Sequence, residues 1–261
     1  MGIWRSPLEC PPLLDREVHV WRSHFSPPVL SDATLRPYAQ VLAVDEQERA
    51  QRFRSDLHRQ QFIAARGLLR LLLGAYLEVD PTQIQFTYGP YGKPLLNASS
   101  PSQVLHFNLS HSHEMVLYAV TRDRPVGIDI EYLRRVPNVE QLAHRFFSPI
   151  EAAAISALPP DQQQTAFFCG WTRKEAYLKA TGRGLADLSE VEVTLLPADP
   201  PRLVNHPGSI SPDSLEVSDS LGLSEWTLHH LNPADRYVGA LAVQQSRPRV
   251  QYLHWSASHD E

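Results

Sequence analysis

The sequence predicts an α+β fold of two similar α/β lobes, each with a small, mainly antiparallel sheet packed against a long helix. Its 261 residues suit one large domain or two of roughly 100–150 residues. Both halves contain a long helical segment followed by a strand, a polar turn and a strand, at 107–120 and again at 226–243. The alternative is that any two β-hairpins look this similar. We expect lobes over 1–125 and 126–261, with a functional site in the cleft between them.

The first half combines one long helical segment with several strands. Helically spaced apolar residues predict a helix over Asp45–Leu77, with Asp45 as its N-cap and a division into two helices near His58. Pro7–Pro12 is an irregular lead-in, and G-P-Y-G-K-P (Gly89–Pro94) has the chemistry of a loop. The predicted strands are Val18–Trp21, Gln83–Tyr88, Val104–Leu109 and Met115–Thr121.

The second half begins with the strand V-G-I-D-I-E (Val126–Glu131) and continues with helices. Ser148 and Glu151 form a capping-box pattern, which predicts that a new helix starts there. Predicted helices cover Val139–Phe147, the segment from Ser148 to the Pro159-Pro160 pair, and Thr165–Thr181, which stops at Gly182 and Gly184. Pro197–Ser220 reads as a surface loop or linker, Trp226–Leu231 and Tyr237–Val243 as a hairpin, and the tail beyond Ser246 as partly disordered.

Composition excludes several broad classes. The formal net charge of −5 gives no sign of nucleic-acid binding, so any anion site must come from local clusters of cations. Two cysteines, Cys10 and Cys169, argue against a disulfide scaffold or a structural zinc site and favour a cytoplasmic location. No apolar run approaches the ~20 residues of a membrane span, and a secretory signal is not expected. M-G-I-W-R-S fits a loose myristoylation pattern to which we give little weight.

Two carboxylates in the V-G-I-D-I-E strand point to a cation. Successive strand side chains alternate between faces, so Ile128 and Ile130 share one face and Asp129 and Glu131 share the other. Like charges that close repel each other, and burial increases the cost, unless a cation or shared protons lie between them. The strand therefore predicts a metal site.

A third carboxylate lies in W-T-R-K-E-A-Y-L-K-A-T-G-R-G-L, where Trp171, Glu175 and Lys179 recur every four residues on one helical face. By itself a Glu–Lys pair at this spacing is usually a solvated salt bridge. If the helix packs beside V-G-I-D-I-E, Glu175 becomes the third oxygen donor of a site suited to Mg²⁺, which keeps water and substrate phosphate as further ligands. Lys179 then faces the same phosphate.

Other segments supply candidate anion-binding groups. F-N-L-S-H-S presents Ser110 and His111 at a turn whose hydroxyls, imidazole and backbone N–H groups suit an anion. The alternatives are an exposed hairpin turn, or a zinc pair of His111 with His113. The Tyr88–Pro94 loop combines Gly, Lys and Tyr and could wrap a nucleotide. Arginines also make the first helical segment locally basic, at positions 49, 52, 54, 59 and 66.

The order of four motifs along the chain resembles that of the 4′-phosphopantetheinyl transferases of the larger, two-lobed type, first known from surfactin synthesis and also found in cyanobacteria and animals. The motifs are G-K-P, F-N-L-S-H-S, G-I-D-I-E and W-T-R-K-E-A-Y-L-K-A-T-G-R-G-L. The resemblance covers about Asp45 to Leu185, extends weakly to Val243 through the similar hairpins, and implies a pseudo-dimer of that fold. It implies transfer of the 4′-phosphopantetheine arm of coenzyme A to a serine of apo acyl, peptidyl or polyketide carrier proteins, with adenosine 3′,5′-bisphosphate as the other product.

The resemblance also implies residue roles. Asp129, Glu131 and Glu175 match the ligands of Mg²⁺, for which Mn²⁺ is an alternative. Independently of the resemblance, a serine nucleophile needs a base, for which Glu175 is the best candidate, and Lys179 would stabilise the developing charge. A metal-bound water is the alternative base. Ser110, His111 and Lys179 match positions that bind the phosphates of coenzyme A. The loop around the adenine and its neighbouring phosphate is matched by Tyr91, Gly92, Lys93 and Pro94. The 3′-phosphate would be bound by Arg49 and Arg66.

The chain is expected to be a cytoplasmic monomer without nucleic-acid or membrane partners, and its carrier to be acidic. We expect the carrier to dock near Phe146-Phe147 and Leu185. One rival function is a Mg²⁺-dependent phosphohydrolase or nucleotidyl transferase with the same carboxylates. Another is a non-catalytic binding module in which Glu175–Lys179 is a surface ion pair.

Overall fold

The protein is described here by a computed structural model that covers residues 3–26, 30–97, 105–122, 124–207 and 226–256. Runs of helices and runs of strands follow one another through these ranges, which confirms the α+β class. The helices are α1 (Asp32–Gln40), α2 (Val44–Gln51), α3 (Asp56–Leu77), α4 (Val139–Phe146), α5 (Pro149–Ser156) and α6 (Pro160–Thr181). The strands are β1 (Glu17–His24), β2 (Phe86–Tyr88), β3 (Pro94–Leu96), β4 (Leu105–Ser112), β5 (Met115–Arg122), β6 (Val126–Tyr132), β7 (Glu192–Val193), β8 (Leu203–Asn205), β9 (Trp226–Leu231), β10 (Tyr237–Gln244) and β11 (Arg249–His254).

The first sheet has the strand order β11-β1-β5-β4 and packs against α3. Its pairs are antiparallel except that β11 runs parallel to β1. Trp21 and Tyr118 on the sheet bury their rings against Leu68 and Leu72 of α3. Ser55 caps α3, since its side chain accepts a hydrogen bond from the backbone N–H of His58.

The second sheet has the antiparallel order β6-β10-β9 and packs against α6. Gly127 of β6 allows an unusually close approach, because a Cβ atom there would lie 2.0 Å from the carbonyl oxygen of Ala176 and 2.4 Å from the amide nitrogen of Ala180. No larger residue fits without moving the helix. Gly127 therefore sets the depth at which α6 lies on β6.

The two sheets face each other between the two long helices. Val18 and Val20 of β1 bury their side chains in one cluster with Ile128 of β6 and Leu241 of β10. The two-lobed arrangement of sheet and long helix agrees with the fold predicted above. Small two-stranded sheets, β2–β3 and β7–β8, lie outside these layers.

Strand β4 of the first sheet joins β6 of the second through side chains. The carbonyl oxygen of the Asn108 side chain accepts from the N–H of Ile128 at 2.9 Å, and the Ser112 hydroxyl accepts from the N–H of Tyr132 at 3.0 Å. The Ser110 hydroxyl lies between them and donates to Asp129. Every second residue of β4 is thus polar because this face meets the neighbouring lobe.

Several predicted boundaries need correction. The N-cap of α2 is Ala43, and Asp45 lies in the first turn, where its charge still favours the helix N-terminus. The predicted long segment consists of two helices, α2 and α3, which confirms the expected division near His58. Residues 52–55 connect them. The helix predicted from Thr165 starts at Pro160, a favourable residue for a first turn.

Three further elements differ from expectation. Helix α1 was not predicted. Strand β8 lies inside the segment predicted as loop or linker, and β11 lies in the tail predicted as partly disordered. Residues 208–220 and 257–261 of those two segments are outside the described residues, as is Val104. Among the helices of the described ranges, none combines the length and apolar character that crossing a bilayer would need.

Candidate active site

Asp129, Ser110 and Lys179 meet at the junction of β4, β6 and α6. One carboxylate oxygen of Asp129, Oδ1, accepts from the Lys179 ammonium at 2.5 Å and from the Ser110 hydroxyl at 2.8 Å. The Lys179 ammonium also donates to the Ser110 oxygen at 3.1 Å. Three elements from both lobes thus contribute to one charged, hydrogen-bonded cluster, and Asp129 itself is buried.

Glu131 lies on the same face of β6, as the alternation predicted. Its Oε2 atom accepts from the Ser112 hydroxyl at 3.1 Å and lies 3.5 Å from an Arg134 nitrogen. Burial raises the pKa of Glu131, and the nearby carboxylate of Asp129 raises it further, although Ser112 and Arg134 oppose the shift.

Glu175 faces the same group of charges from α6. Burial raises the pKa of this carboxyl to about 7, Asp129 and Glu131 act in the same direction, and Lys179 acts against them. Burial lowers the pKa of Lys179, but the surrounding carboxylates outweigh it and the net shift is upward. Lys179 pairs with Asp129, and no Glu175–Lys179 salt bridge is present in the described part of the chain. The solvated helix pair considered above is therefore not what this structure contains.

The cluster has the donor chemistry of a hard-cation site. Within the described ranges, no three His, Cys, Asp or Glu side chains are close enough together to enclose an ion as they stand. The second oxygen of Asp129, Oδ2, is nevertheless buried without a hydrogen-bond partner among the described residues. Burial raises the pKa values of Glu131 and Glu175, and repulsion from the neighbouring carboxylates raises them further. An unpaired oxygen and crowded carboxylates both fit a divalent cation.

A cavity of about 740 Å³ opens over this cluster. Its walls come from both lobes, and Trp171 of α6 adds an aromatic face. This cavity brings together ten of the twelve residues that the sequence singled out: Arg49, Arg66, Gly92, Pro94, Ser110, His111, Asp129, Glu131, Glu175 and Lys179. Tyr91 and Lys93 instead line a neighbouring cavity of about 760 Å³, which shares Glu175 and Lys179 with the first.

Arg66 is a buried cation at the wall of the cavity. Its Nε atom lies 3.5 Å from Glu46, while its Nη1 atom is buried with no hydrogen-bond partner among the described residues. Arg49 is exposed, and its guanidinium lies 5.4 Å from the centre of the Phe62 ring. A buried guanidinium with an unused donor suits an anionic ligand.

His111 and His113 belong to no group of three or more possible metal ligands among the described residues, so the structure does not support a zinc pair. His111 extends from β4 into the cavity, where desolvation and the charge of Lys179 lower its pKa. His113 turns to stack on Tyr132, with 4.2 Å between ring centres. His111 therefore remains a candidate for contact with an anionic ligand.

The loop Tyr91–Pro94 reaches across to the end of α6. The Lys93 ammonium donates to the carbonyl oxygens of Lys179 at 2.6 Å and Val126 at 3.3 Å. Tyr91 packs its ring over Gly184, where a Cβ atom would lie 2.7 Å from the ring. Gly92 has a φ of 77°, a left-handed conformation that glycine adopts without strain.

Two contacts made by residues of the quoted motifs were not predicted. Ser112 binds both Glu131 and the backbone of β6, and its signal was the polar residue at every second position of β4. Lys174 of the W-T-R-K-E motif is fully buried and pairs with Glu151 at 2.5 Å. Phe147 also buries its ring, so only Phe146 and Leu185 of the expected docking patch reach the surface.

Comparison with known proteins gives consistent matches. A model of the 4′-phosphopantetheinyl transferase superfamily matches residues 125–242, and one described as 4′-phosphopantetheinyl transferase, N-terminal, matches residues 29–123. The 4′-phosphopantetheinyl transferase HetI of Nostoc sp. (strain PCC 7120) is 43% identical over 93% of this chain and 94% of its own length.

Two other relatives match over part of their length. The putative 4′-phosphopantetheinyl transferase slr0495 of Synechocystis sp. (strain PCC 6803) is 36% identical over 60% of this chain and 63% of its own. The 4′-phosphopantetheinyl transferase Sfp of Bacillus subtilis (strain 168) is 31% identical over 60% of this chain and 67% of its own. The crystal structure of Thermotoga maritima holo-[acyl-carrier-protein] synthase, 26% identical, covers 47% of this chain and 64% of its own with a TM-score of 0.33, too low to support a comparison of folds.

Proposed function

Because the chain belongs to the 4′-phosphopantetheinyl transferase superfamily, we propose that it transfers the 4′-phosphopantetheine arm of coenzyme A to a serine of apo acyl, peptidyl or polyketide carrier proteins. The observation that carries the proposal is the cavity into which Asp129, Glu131, Glu175 and Lys179 all open. Adenosine 3′,5′-bisphosphate is the second product.

Asp129, Glu131 and Glu175 would hold Mg²⁺, with Mn²⁺ as an alternative. When bound, the ion offsets charge on the diphosphate and orients it. The unpaired Oδ2 of Asp129 supports this assignment, as do the raised pKa values of the two glutamates. Lys179 then has two partners within reach, Asp129 and the diphosphate that it would stabilise.

In the reaction, the carrier serine Oγ attacks the phosphorus that bears the pantetheine arm. A new P–O bond forms to serine, and the bond to the bridging diphosphate oxygen breaks. Glu175 takes the hydroxyl proton, since its carboxylate lines the cavity together with Asp129 and Lys179. Lys179 stabilises charge that develops on the leaving phosphate.

Cations around the cavity would bind the rest of coenzyme A. The unpaired Nη1 donor of Arg66 suits the 3′-phosphate, with Arg49 nearby on the exposed side. Ser110 and His111 would contact the diphosphate. The loop residues Tyr91, Gly92 and Pro94 would border the adenine, while the Lys93 ammonium is bound to backbone carbonyl oxygens.

We further propose that the lobes divide near residue 125, with β11 returning to the sheet of the first lobe, and that the protein is a cytoplasmic monomer. The family models meet at this point, one ending at 123 and the other beginning at 125. A two-lobed chain already contains an interface between similar units, so no second copy is needed to form the cleft.

The test is incubation with coenzyme A, Mg²⁺ and several apo carrier domains, followed by intact mass of the carrier. A mass gain of one phosphopantetheine, with an equal amount of adenosine 3′,5′-bisphosphate, is the expected result. Removal of the metal by a chelator should stop the gain, and added Mg²⁺ should restore it. Binding of coenzyme A with no modification of any carrier would favour a binding module. Hydrolysis of coenzyme A without carrier modification would favour a phosphohydrolase.

A further inference from the structure

We propose that Lys93 is a positioning residue that fixes the catalytic end of α6 by binding the backbone of Lys179, and that it does not act by contacting coenzyme A. This inference rests on the proposed function. Its basis is the pair of hydrogen bonds from the Lys93 ammonium to the carbonyl oxygens of Lys179 and Val126.

The end of α6 leaves a carbonyl that needs a donor. The last four carbonyl groups of a helix have no partner within the helix. Here the N–H groups of Gly182 and Arg183 both turn back to the carbonyl of Leu178, so neither serves Lys179. The Lys93 ammonium fills this position at 2.6 Å. A cation at a helix C-terminus also interacts favourably with the helix dipole.

The same ammonium reaches the start of β6. Val126 lies one residue before Gly127, the point of closest approach between β6 and α6. Lys93 therefore connects three segments at one point: the loop of the first lobe, the end of α6 and the beginning of β6. The same two elements are also joined by side chains, since the Lys179 ammonium of α6 donates to the Asp129 carboxylate of β6 at 2.5 Å.

The surroundings of Lys93 leave it little freedom for a second role. No carboxylate forms a salt bridge with it in the described ranges, and burial lowers its pKa to about 8. Both protons that it donates are directed at backbone oxygens. Its removal would leave the Lys179 carbonyl without this donor and would free the α6 end from the first lobe.

A double-mutant cycle with Lys179 distinguishes positioning from direct contact. The variants are Lys93→Met, which keeps the chain length and removes the ammonium, Lys179→Ala, and both together. Calorimetry measures the Kd for coenzyme A with Mg²⁺, and single-turnover transfer at saturating coenzyme A measures the rate. We expect Lys93→Met to slow transfer about tenfold in the native background, which corresponds to about 1.4 kcal/mol. In the Lys179→Ala background the same change should slow transfer less than about twofold, because the side chain that Lys93 positions is absent.

Matched variants complete the design. Lys93→Arg keeps a donor at the carbonyls and should recover most of the rate. Thr87→Ala, an exposed change on β2 of the same hairpin, should leave both quantities as in the native protein. Circular dichroism and urea unfolding establish that each variant is folded.

Two results would overturn the inference. In the first, the effects of Lys93→Met and Lys179→Ala multiply in the double variant, which indicates independent contacts with coenzyme A. In the second, Lys93→Met transfers at the native rate. If the native protein binds coenzyme A but modifies no carrier, the proposed function fails while the binding cycle still tests Lys93.

Discussion

Gly127→Ala should slow transfer strongly while leaving a folded protein. The new Cβ would lie 2.0 Å from the Ala176 carbonyl oxygen, and since real Cβ contacts essentially never fall below 3.0 Å, α6 must retreat by about 1 Å. The Lys179–Asp129 contact of 2.5 Å would then stretch beyond a good hydrogen bond. We expect a rate loss of about 100-fold and a loss of about 1–3 kcal/mol in the free energy of unfolding.

Gly182→Ala is the matched control. Gly182 has a φ of 71°, and an added Cβ would meet no described atom within 4 Å. Alanine there should cost about 1 kcal/mol of stability through backbone strain alone, with α6 still in place. Urea unfolding measures stability, and intact mass of a carrier measures the rate. Native-rate transfer by Gly127→Ala, or an equal rate loss in both variants, would contradict the reasoning.

Three further predictions concern individual side chains. Asp129→Ala or Glu175→Gln should abolish transfer with an unchanged far-UV spectrum, and near-native turnover of either purified variant would refute the assigned roles. Lys174→Met should lower the free energy of unfolding in urea by about 3–5 kcal/mol because it leaves the buried Glu151 carboxylate without its cation; a loss below about 1 kcal/mol would show that this pair is dispensable. Arg66→Met should raise the Kd for coenzyme A about tenfold, the value of one hydrogen bond to a charged group, but leave the Kd for dephospho-coenzyme A, which lacks the 3′-phosphate, nearly unchanged; equal losses would place Arg66 elsewhere.

The sequence predicted the acidic side of the site because local rules govern it. Alternation places Asp129 and Glu131 on one face of β6, and helical spacing places Glu175 and Lys179 on one face of α6. Which faces meet was inferred from the resemblance. The structure brings all four to one cavity.

Contacts between distant segments were beyond reach of local rules. Strand β11 was missed because its residues form a strand by pairing with β1, more than 200 positions earlier in the chain. Helix α1 contains Pro37, which normally argues against a helix interior. The role of Lys93 depends on which carbonyl group at the end of α6 is left without a backbone N–H donor, and only the folded chain shows this.

The placement of β11 gives the protein an order of assembly. Residues 249–254 supply the edge of the sheet to which β1 belongs, so that sheet cannot be completed on the ribosome until those residues have been synthesised. Such long-range pairing slows folding, since loop closure must precede the contacts that reward it. A nascent chain stalled before residue 249 would hold the motifs of the cleft but expose the unpaired backbone of β1, a surface that a chaperone would have to cover.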